Sequence, residues 1–454
     1  MSYSTVERNL ASGNINKLIF SYSLPAIVGT VVMSLYNIID RIFIGQWVDP
    51  QAISGMALTF PFMNLLAAFG MLIGVGAASR VSILLGQNDK DKAENVLGNA
   101  LVLTFIVSGT VVVLSFIFIS DLLHLFGGTE RTVVYAEDFM RIIIAGGVFS
   151  ALSFGFNNIM RAAGYPKKAM YTTFLSVGVN LLLAPIFILV FKMGIRGAAL
   201  ATVCAYLVGA IWVLQHFMSS KSNLNFRRKN FRLKKEIVGA ILSIGMSPFS
   251  IQVAASFVVV VTNVVLIDNG GDDAIGAFGI VNSIATLIIM VVVGLNQGLQ
   301  PIIGYNYGAK QYDRMFKTLK TGSITAICIT SFGFLLGVFF PDAIVSIFFP
   351  KGESFEMQQM ASRALRLIVA VFPIVGFQIV ITNFFQSIGR ARISIFLSIT
   401  RQFIFLIPFL FVLPRYFALD GAWMAFPASD FLSTIVTAVT IVIFIRKFDK
   451  SVLN

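Results

Sequence analysis

From Glu94 to Ile119 the chain carries one charged residue, at its first position, and otherwise only apolar, small and neutral side chains. Few folds are open to such a stretch. As a helix it is long enough to cross the hydrocarbon core of a bilayer, which takes about 20 residues. A helix also satisfies its backbone hydrogen bonds within one segment, as lipid requires. Comparable stretches cover residues 17–45, 52–78, 94–119, 137–160, 169–191, 196–217, 237–267, 274–303, 318–340, 362–387, 393–414 and 420–445. Twelve spans predict an all-α polytopic membrane protein. Composition agrees, since 57% apolar against 12% charged residues leaves too few polar side chains to coat a soluble chain of 454 residues. It also excludes disorder, a coiled coil and a secreted disulfide scaffold.

The net charge of +13 would suit a nucleic-acid partner if it lay on a water-facing surface. The basic residues fall instead between the spans, so no nucleic acid is implied. Of the 34 Lys and Arg, 24 belong to the N-terminus, the C-terminus and every second connection. Nine lie on the opposite side, and Arg401 sits inside a span. The positive-inside rule then predicts a multi-pass protein of the cytoplasmic (inner) membrane with both termini cytoplasmic. The richest cluster is Arg227, Arg228, Lys229, Arg232, Lys234 and Lys235, in the middle of the chain. It reads as a topological anchor and linker, giving an N-terminal lobe 1–217, a basic cytoplasmic linker 218–236 and a C-terminal lobe 237–454. Residues 1–17 are polar and the first apolar segment is too long for a signal-peptide core, so no cleavable leader is expected.

The two halves repeat. Ser23-Leu24-Pro25 matches Met246-Ser247-Pro248, and Gly76…Gly86 matches Gly298…Gly308. Asn158…Gly164 matches Asn383…Gly389, and Gly197-Ala198 with Ala201 matches Gly421-Ala422 with Ala425. The offsets stay between 222 and 225. Each repeat holds an even number of spans, so both insert the same way round. This predicts parallel, pseudo-symmetric six-helix lobes about an axis along the membrane normal, with a cavity between them.

No H-E-x-x-H, G-x-S-x-G or phosphate-loop motif occurs, so an enzyme or ATP-driven pump is not expected. The stretch Gly304-x-x-x-Gly308-Ala-Lys310 has the wrong spacing and no following Ser or Thr. Cys204 and Cys328 have no metal-ligand spacing and read as buried small residues. No cofactor is implied, and uphill transport would draw on an ion gradient.

An ionised side chain within a span costs at least ~2.5–3.5 kcal/mol on insertion scales, so each one needs a partner or a task. Of 21 acidic residues only Asp40 and Asp430 fall well inside spans. Tyr36 and Asn37 precede Asp40 by one helical turn and share its face, giving a polar patch suited to ion coupling. Neutralisation of Asp40 by Arg41 is the alternative, although adjacent helix positions point about 100° apart. Asp430 reads as a structural partner of a neighbouring Ser or of Arg401, with a second proton or substrate site as the alternative. Gln297, Gln300, Gln378, Asn383, Gln386 and Gln402 enrich the C-terminal half in amides and join Arg401 and Asp430 as candidate cavity residues. Pro25, Pro61, Pro185, Pro248, Pro301 and Pro373 supply kinks of the sort rocking transporters use.

The stretches Ser34–Gly45, Phe69–Gly76, Ser153–Gly164, Gly194–Thr202 and Asn296–Lys310 resemble the multidrug and toxic compound extrusion (MATE) family, in particular its MepA-like branch. The resemblance covers essentially the whole chain. It implies a monomeric two-lobed exporter of amphipathic, often cationic drugs in exchange for Na⁺ or H⁺. It also implies that Asp40 is the centre of an ion site lined by Asn180 and Thr202. The family commonly has Asp four residues after that asparagine, and here the position is Ala184, before Pro185. One carboxylate in place of two suits H⁺ better than Na⁺, a hard cation that prefers several oxygen ligands. Two other readings remain at this stage. One is a flippase for lipid-linked sugars or cell-wall precursors, which would need more deep basic residues than Arg401. The other is a non-transporting membrane scaffold.

Overall fold

The computed structural model describes residues 10–47, 50–125, 130–348 and 355–453. Among these there is no strand, and nearly every residue is helical. The first half holds α1 (Ile15–Trp47), α2 (Pro50–Gly86), α3 (Lys90–Ile117), a bent α4 (Glu130–Ala145 and Gly147–Ala162), α5 (Pro166–Val190) and α6 (Gly194–Met218). The second half holds α7 (Lys235–Gly271), α8 (Asp273–Gly308), α9 (Tyr312–Phe339), α10 (Phe355–Ser387), α11 (Ala391–Val412) and α12 (Pro414–Leu453). Eleven of these pass as single membrane spans by length and hydropathy, and bent α4 makes twelve.

Local chemistry sets several boundaries. The Asn14 side chain accepts from the backbone N–H groups of Asn16 and Lys17 and starts α1, and Asp89 does the same for α3 through Lys92. The hydrogen bond from the Lys92 ammonium, with a smaller contribution from the Lys92 N–H, holds the Asp89 carboxyl below the usual carboxylate range. α7 and α8 meet at Gly271, whose φ of 66° only glycine adopts without strain. The 57° bend in α4 falls at Gly146, away from any proline. A Cβ there would stand 2.5 Å from a methyl of Val203, so the missing side chain lets α4 press onto α6. Pro185 and α11 bring another irregularity, the wide turns at Ile186–Val190 and Thr400–Leu406. Such π-type turns recur at functional sites in helices.

The core divides in a way that shows the shape. Near the end carrying the N-terminus, one apolar cluster joins both halves, with Leu18, Ile73, Val81 and Leu84 packed among Leu295, Leu299, Ile302 and Tyr305. At the opposite end each half keeps its own cluster, around Phe62, Phe139 and Ile188 in the first and around Phe278, Leu365 and Trp423 in the second. Among the described residues, the two lobes therefore share a core at one end and keep separate cores at the other.

The closed end is a seam of backbone against backbone. A Cβ on Gly86 would sit 2.0 Å from the Tyr305 carbonyl oxygen, and one on Gly308 would sit 2.0 Å from that of Ile83. Positions 83 and 305, like 86 and 308, are repeat equivalents, so each contact is the mate of the other under the pseudo-twofold axis. Gly76 meets the Ile241 carbonyl and Gly245 that of Leu72 in the same manner. Four of the glycines that betrayed the duplication, Gly76, Gly86, Gly298 and Gly308, are places where the lobes touch. Hydrogen bonds line the seam: Ser23 Oγ donates to Leu295 O (3.1 Å), Thr30 Oγ1 to Met290 O (3.0 Å) and Gln300 Nε2 to Ser79 Oγ (2.6 Å). Arg314 of α9 adds a strap, donating to the carbonyls of Leu10 (3.2 Å) and Gly13 (2.8 Å) and to Asn306 Oδ1 (3.0 Å). Phe69 and Phe249, ring centroids 5.1 Å apart, lie one turn nearer the open end.

The basic linker is docked onto α3. Asn99 donates to the carbonyls of Asn230 (3.0 Å) and Arg232 (3.2 Å) and accepts from the Lys234 N–H (2.8 Å). Buried Glu94 faces Arg227 Nε at 2.7 Å. The cysteines depart from expectation: Cys204 is only partly buried and Cys328 is exposed. Cys328 lies on an outer face of α9 beside exposed Ile324 and Phe332, where lipid rather than protein would cover it.

Candidate functional site

α1 and α5 run in the same direction and touch where Gly29 meets Thr173, 3.6 Å from a Cβ built on the glycine to the Thr hydroxyl. Eleven residues make about three helical turns, or roughly 16 Å. Moving eleven residues along each helix brings the same two faces to positions 40 and 184, and seven residues to positions 36 and 180. The register thus sets Asp40 level with Ala184, and Tyr36 level with Asn180. The side chains of Asn37 and Asp40 lie outside the described residues.

The other members of this patch are in place. Asn180, Ala184, Thr202 and Tyr36 are all buried. Asn180 Nδ2 donates to Thr202 Oγ1 at 3.0 Å, and Thr202 Oγ1 donates to the Ala198 carbonyl at 3.0 Å. That chain fixes the orientation of the amide. Thr202 has given its one proton to Ala198, so it can only accept from Asn180, and Oδ1 is left facing away. Among the described residues Asn180 Oδ1 is buried without a hydrogen-bond partner. A buried acceptor costs free energy until a donor or cation meets it. A protonated carboxyl can supply the donor, and a small cation can supply the charge. Ala184, where the family pattern carries Asp, contributes neither.

The second half does not gather its polar residues into one cluster. Arg401 and Asp430 pair inside the C-terminal lobe, Nε to Oδ1 at 2.6 Å and Nη2 to Oδ2 at 3.3 Å. Ser429 Oγ donates to the Arg401 carbonyl at 2.7 Å, and Gln378 Nε2 donates to Ser433 Oγ at 2.8 Å on the neighbouring turn. Gln402 follows Arg401 in the wide turn, and its Oε1, like that of Gln378, is buried without a partner among the described residues. By helix order the α11–α12 contact is the repeat counterpart of the α5–α6 contact, with an ion pair in place of an amide–hydroxyl pair. Gln300 is bonded across the seam. Gln297 adjoins Gly298, which packs on Ser23. Asn383 accepts from Ser387 Oγ near the same closed end, and Gln386 is buried there. Among the described residues none of these four hydrogen-bonds to the Arg401–Asp430 pair, and Gln300 and Asn383 are engaged elsewhere.

Sequence reasoning missed Asn99 and Glu94, which seat the linker. Their partners lie more than 130 residues away in the chain, and no local pattern signals such a contact.

The MatE family model matches residues 25–186 and 248–412, one stretch in each half. The Multidrug export protein MepA of Staphylococcus aureus is 28% identical over 410 residues, covering 89% of this chain and 88% of its own length. The Probable multidrug resistance protein YoeA of Bacillus subtilis is 24% identical over 424 residues, with 91% of each chain covered. Among solved structures, the MATE multidrug transporter DinF-BH is 35% identical, covers 94% of this chain and 95% of its own, and superposes with a TM-score of 0.88. An outward-facing MATE family multidrug resistance transporter shares the fold, with a TM-score of 0.93 at 24% identity.

Proposed function

The chain belongs to the MatE family of multidrug efflux transporters, and from that premise we propose that it is a cation-coupled antiporter exporting amphipathic or cationic compounds by alternating access. The coupling site is the N-terminal-lobe patch of Asp40, Tyr36, Asn180 and Thr202. The observation that carries this reading is the buried Asn180 Oδ1, without a hydrogen-bond partner among the described residues, at the level of position 40 on α1. Asp430, the other acidic residue well inside a span, is already held by Arg401. Proton coupling is favoured over Na⁺, because Ala184 leaves the patch with a single carboxylate and few oxygens.

The working orientation places both termini and the basic linker in the cytoplasm. Four cations of the sparser side are matched by acids: Arg141 with Glu137, Arg196 with Asp138, Arg363 with Asp420 and Arg366 with Asp342. With this orientation the closed seam faces the cytoplasm and the end with separate cores faces outward. Proton entry from outside to Asp40 would bring a carboxyl O–H to Asn180 Oδ1, draw α1 toward α5 and α6, and narrow the N-terminal-lobe wall of the cavity so that drug leaves outward. The protein acts as a monomer in the bilayer.

Proteoliposomes loaded with a fluorescent lipophilic cation provide the test. An imposed ΔpH is expected to drive transport, and an imposed Na⁺ gradient to drive little. Transport driven by Na⁺ with no response to ΔpH would overturn proton coupling. In the same assay Ala184→Asp is expected to add a Na⁺ response, since it restores a second carboxylate at the level of Asp40.

A further inference from the structure

At the basic end of the molecule, α11 begins and α12 ends on either side of a cleft of about 450 Å³. Arg390 and Lys447 stand in its lining, with Ile393, Ile443 and Phe444 as its apolar wall. Among the described residues neither cation makes an ion pair, and what sets them apart from the other basic residues of this end is that one cleft gathers them with an apolar wall. The wall is braced from behind. Phe444 packs edge-on to Phe384 and Phe385, with centroids 5.9 and 5.2 Å apart, and Phe448 packs edge-on to Phe316 (5.6 Å) and Tyr312 (4.8 Å). The cleft is therefore preformed.

We propose that this cleft seats an anionic phospholipid, its phosphate between Arg390 and Lys447. Two cations with no acidic partner among the described residues suit an anion, and the apolar wall calls for a ligand that is more than a phosphate. The outer face of α12 supplies the rest of the fit. Phe431, Ile435, Val439 and Ile443 recur at helical spacing, and all are exposed. That stripe runs from the cleft toward the membrane interior and forms a track for an acyl chain. Basic pockets between transmembrane helices are recognised sites for anionic headgroups. The occupant also brings a consequence for transport. α11 and α12 carry the Arg401–Asp430 pair, and a lipid bridging their ends at the basic side ties the two helices together. The inference is independent of the coupling ion and of the drug.

Native mass spectrometry of the full chain, released from mixed micelles holding equal phosphatidylglycerol and phosphatidylcholine, reads the site directly. Wild type is expected to retain phosphatidylglycerol preferentially. Arg390→Gln with Lys447→Gln should lower that preference about thirtyfold, taking about 1 kcal/mol per cation and 1.4 kcal/mol per tenfold. The charge-conserving pair Arg390→Lys with Lys447→Arg should keep most of it. Ile443→Trp leaves both cations and fills the cleft, so it should also release the lipid. Arg228→Gln with Lys229→Gln, which removes two linker cations from the same end, should change nothing. Equal retention of the two lipids by wild type would overturn the proposal. So would an unchanged preference in both the double glutamine variant and Ile443→Trp, or displacement of the lipid by millimolar inorganic phosphate.

Discussion

Asp40→Asn is expected to bind drug within about threefold of wild type, less than ~0.7 kcal/mol, while its export falls to the level of an empty vector. The substitution is nearly isosteric and keeps a donor that can face Asn180 Oδ1, so it mimics the protonated carboxyl. It cannot release that proton. A transporter whose coupling site is permanently in one state can occupy the conformation which that state favours, but cannot cycle between two. Binding and turnover should therefore separate. A variant damaged in folding would lose both together. Equilibrium binding of a fluorescent lipophilic cation to purified protein, set beside resistance in a pump-deficient strain, distinguishes the two cases. Wild-type resistance with Asp40→Asn would place coupling elsewhere, and Asp430 would be the next residue to replace. Should Asp40→Asn export normally and Asp430→Asn fail, the C-terminal lobe would carry the engine.

The path to Asp40 shows what a sequence like this exposes and what it hides. The spans were legible because lipid imposes a single requirement, a long apolar helix, and each predicted stretch overlaps a helix of the structure. The duplication was legible for a more specific reason. Gly76, Gly86, Gly298 and Gly308 stand where the lobes approach backbone to backbone, and a position that admits no Cβ leaves its mark in both copies. The polar residues were harder to place. Asn180 and Thr202 meet across 22 residues on adjacent helices, and in isolation they read as ordinary helix-packing groups. Only the family resemblance singled them out. Arg401 and Asp430 were legible as a pair because the bilayer leaves a buried charge few partners. The amides could not be ranked from sequence, since composition does not tell a side chain facing a cavity from one that bridges a seam, as Gln300 does. The bend at Gly146 was invisible because the cause lies in Val203, on another helix.

The same seam yields the other large effect. Gly86→Ala combined with Gly308→Ala should abolish export by opening the closed end. Each added methyl would stand 2.0 Å from a backbone carbonyl oxygen of the opposite lobe. Backbone cannot rotate aside as a side chain can, so the lobes must move apart there. Overpacking of this kind costs about 1–3 kcal/mol per site. The two sites are pseudo-symmetric mates, so the strain acts across the same interface twice. The state with the lobes parted at this end does not feel it, and only a difference between states shifts a population. At about 2–6 kcal/mol in total the closed-seam state would fall by at least about thirtyfold relative to its alternative. Ser82 is buried in the seam and bonds within its own helix, to the Ala78 carbonyl, which makes it a quiet reporter. In a background lacking Cys204 and Cys328, Ser82→Cys should react slowly with a membrane-impermeant thiol reagent applied at the basic end. Adding the two alanines should speed labelling at least tenfold, while drug still binds. Gly239→Ala is the control, because it lies on α7 near the same end and its Cβ would meet nothing within 4 Å. Unchanged labelling and normal export in the double alanine variant would show that the lobes do not have to close at this seam for the transporter to turn over.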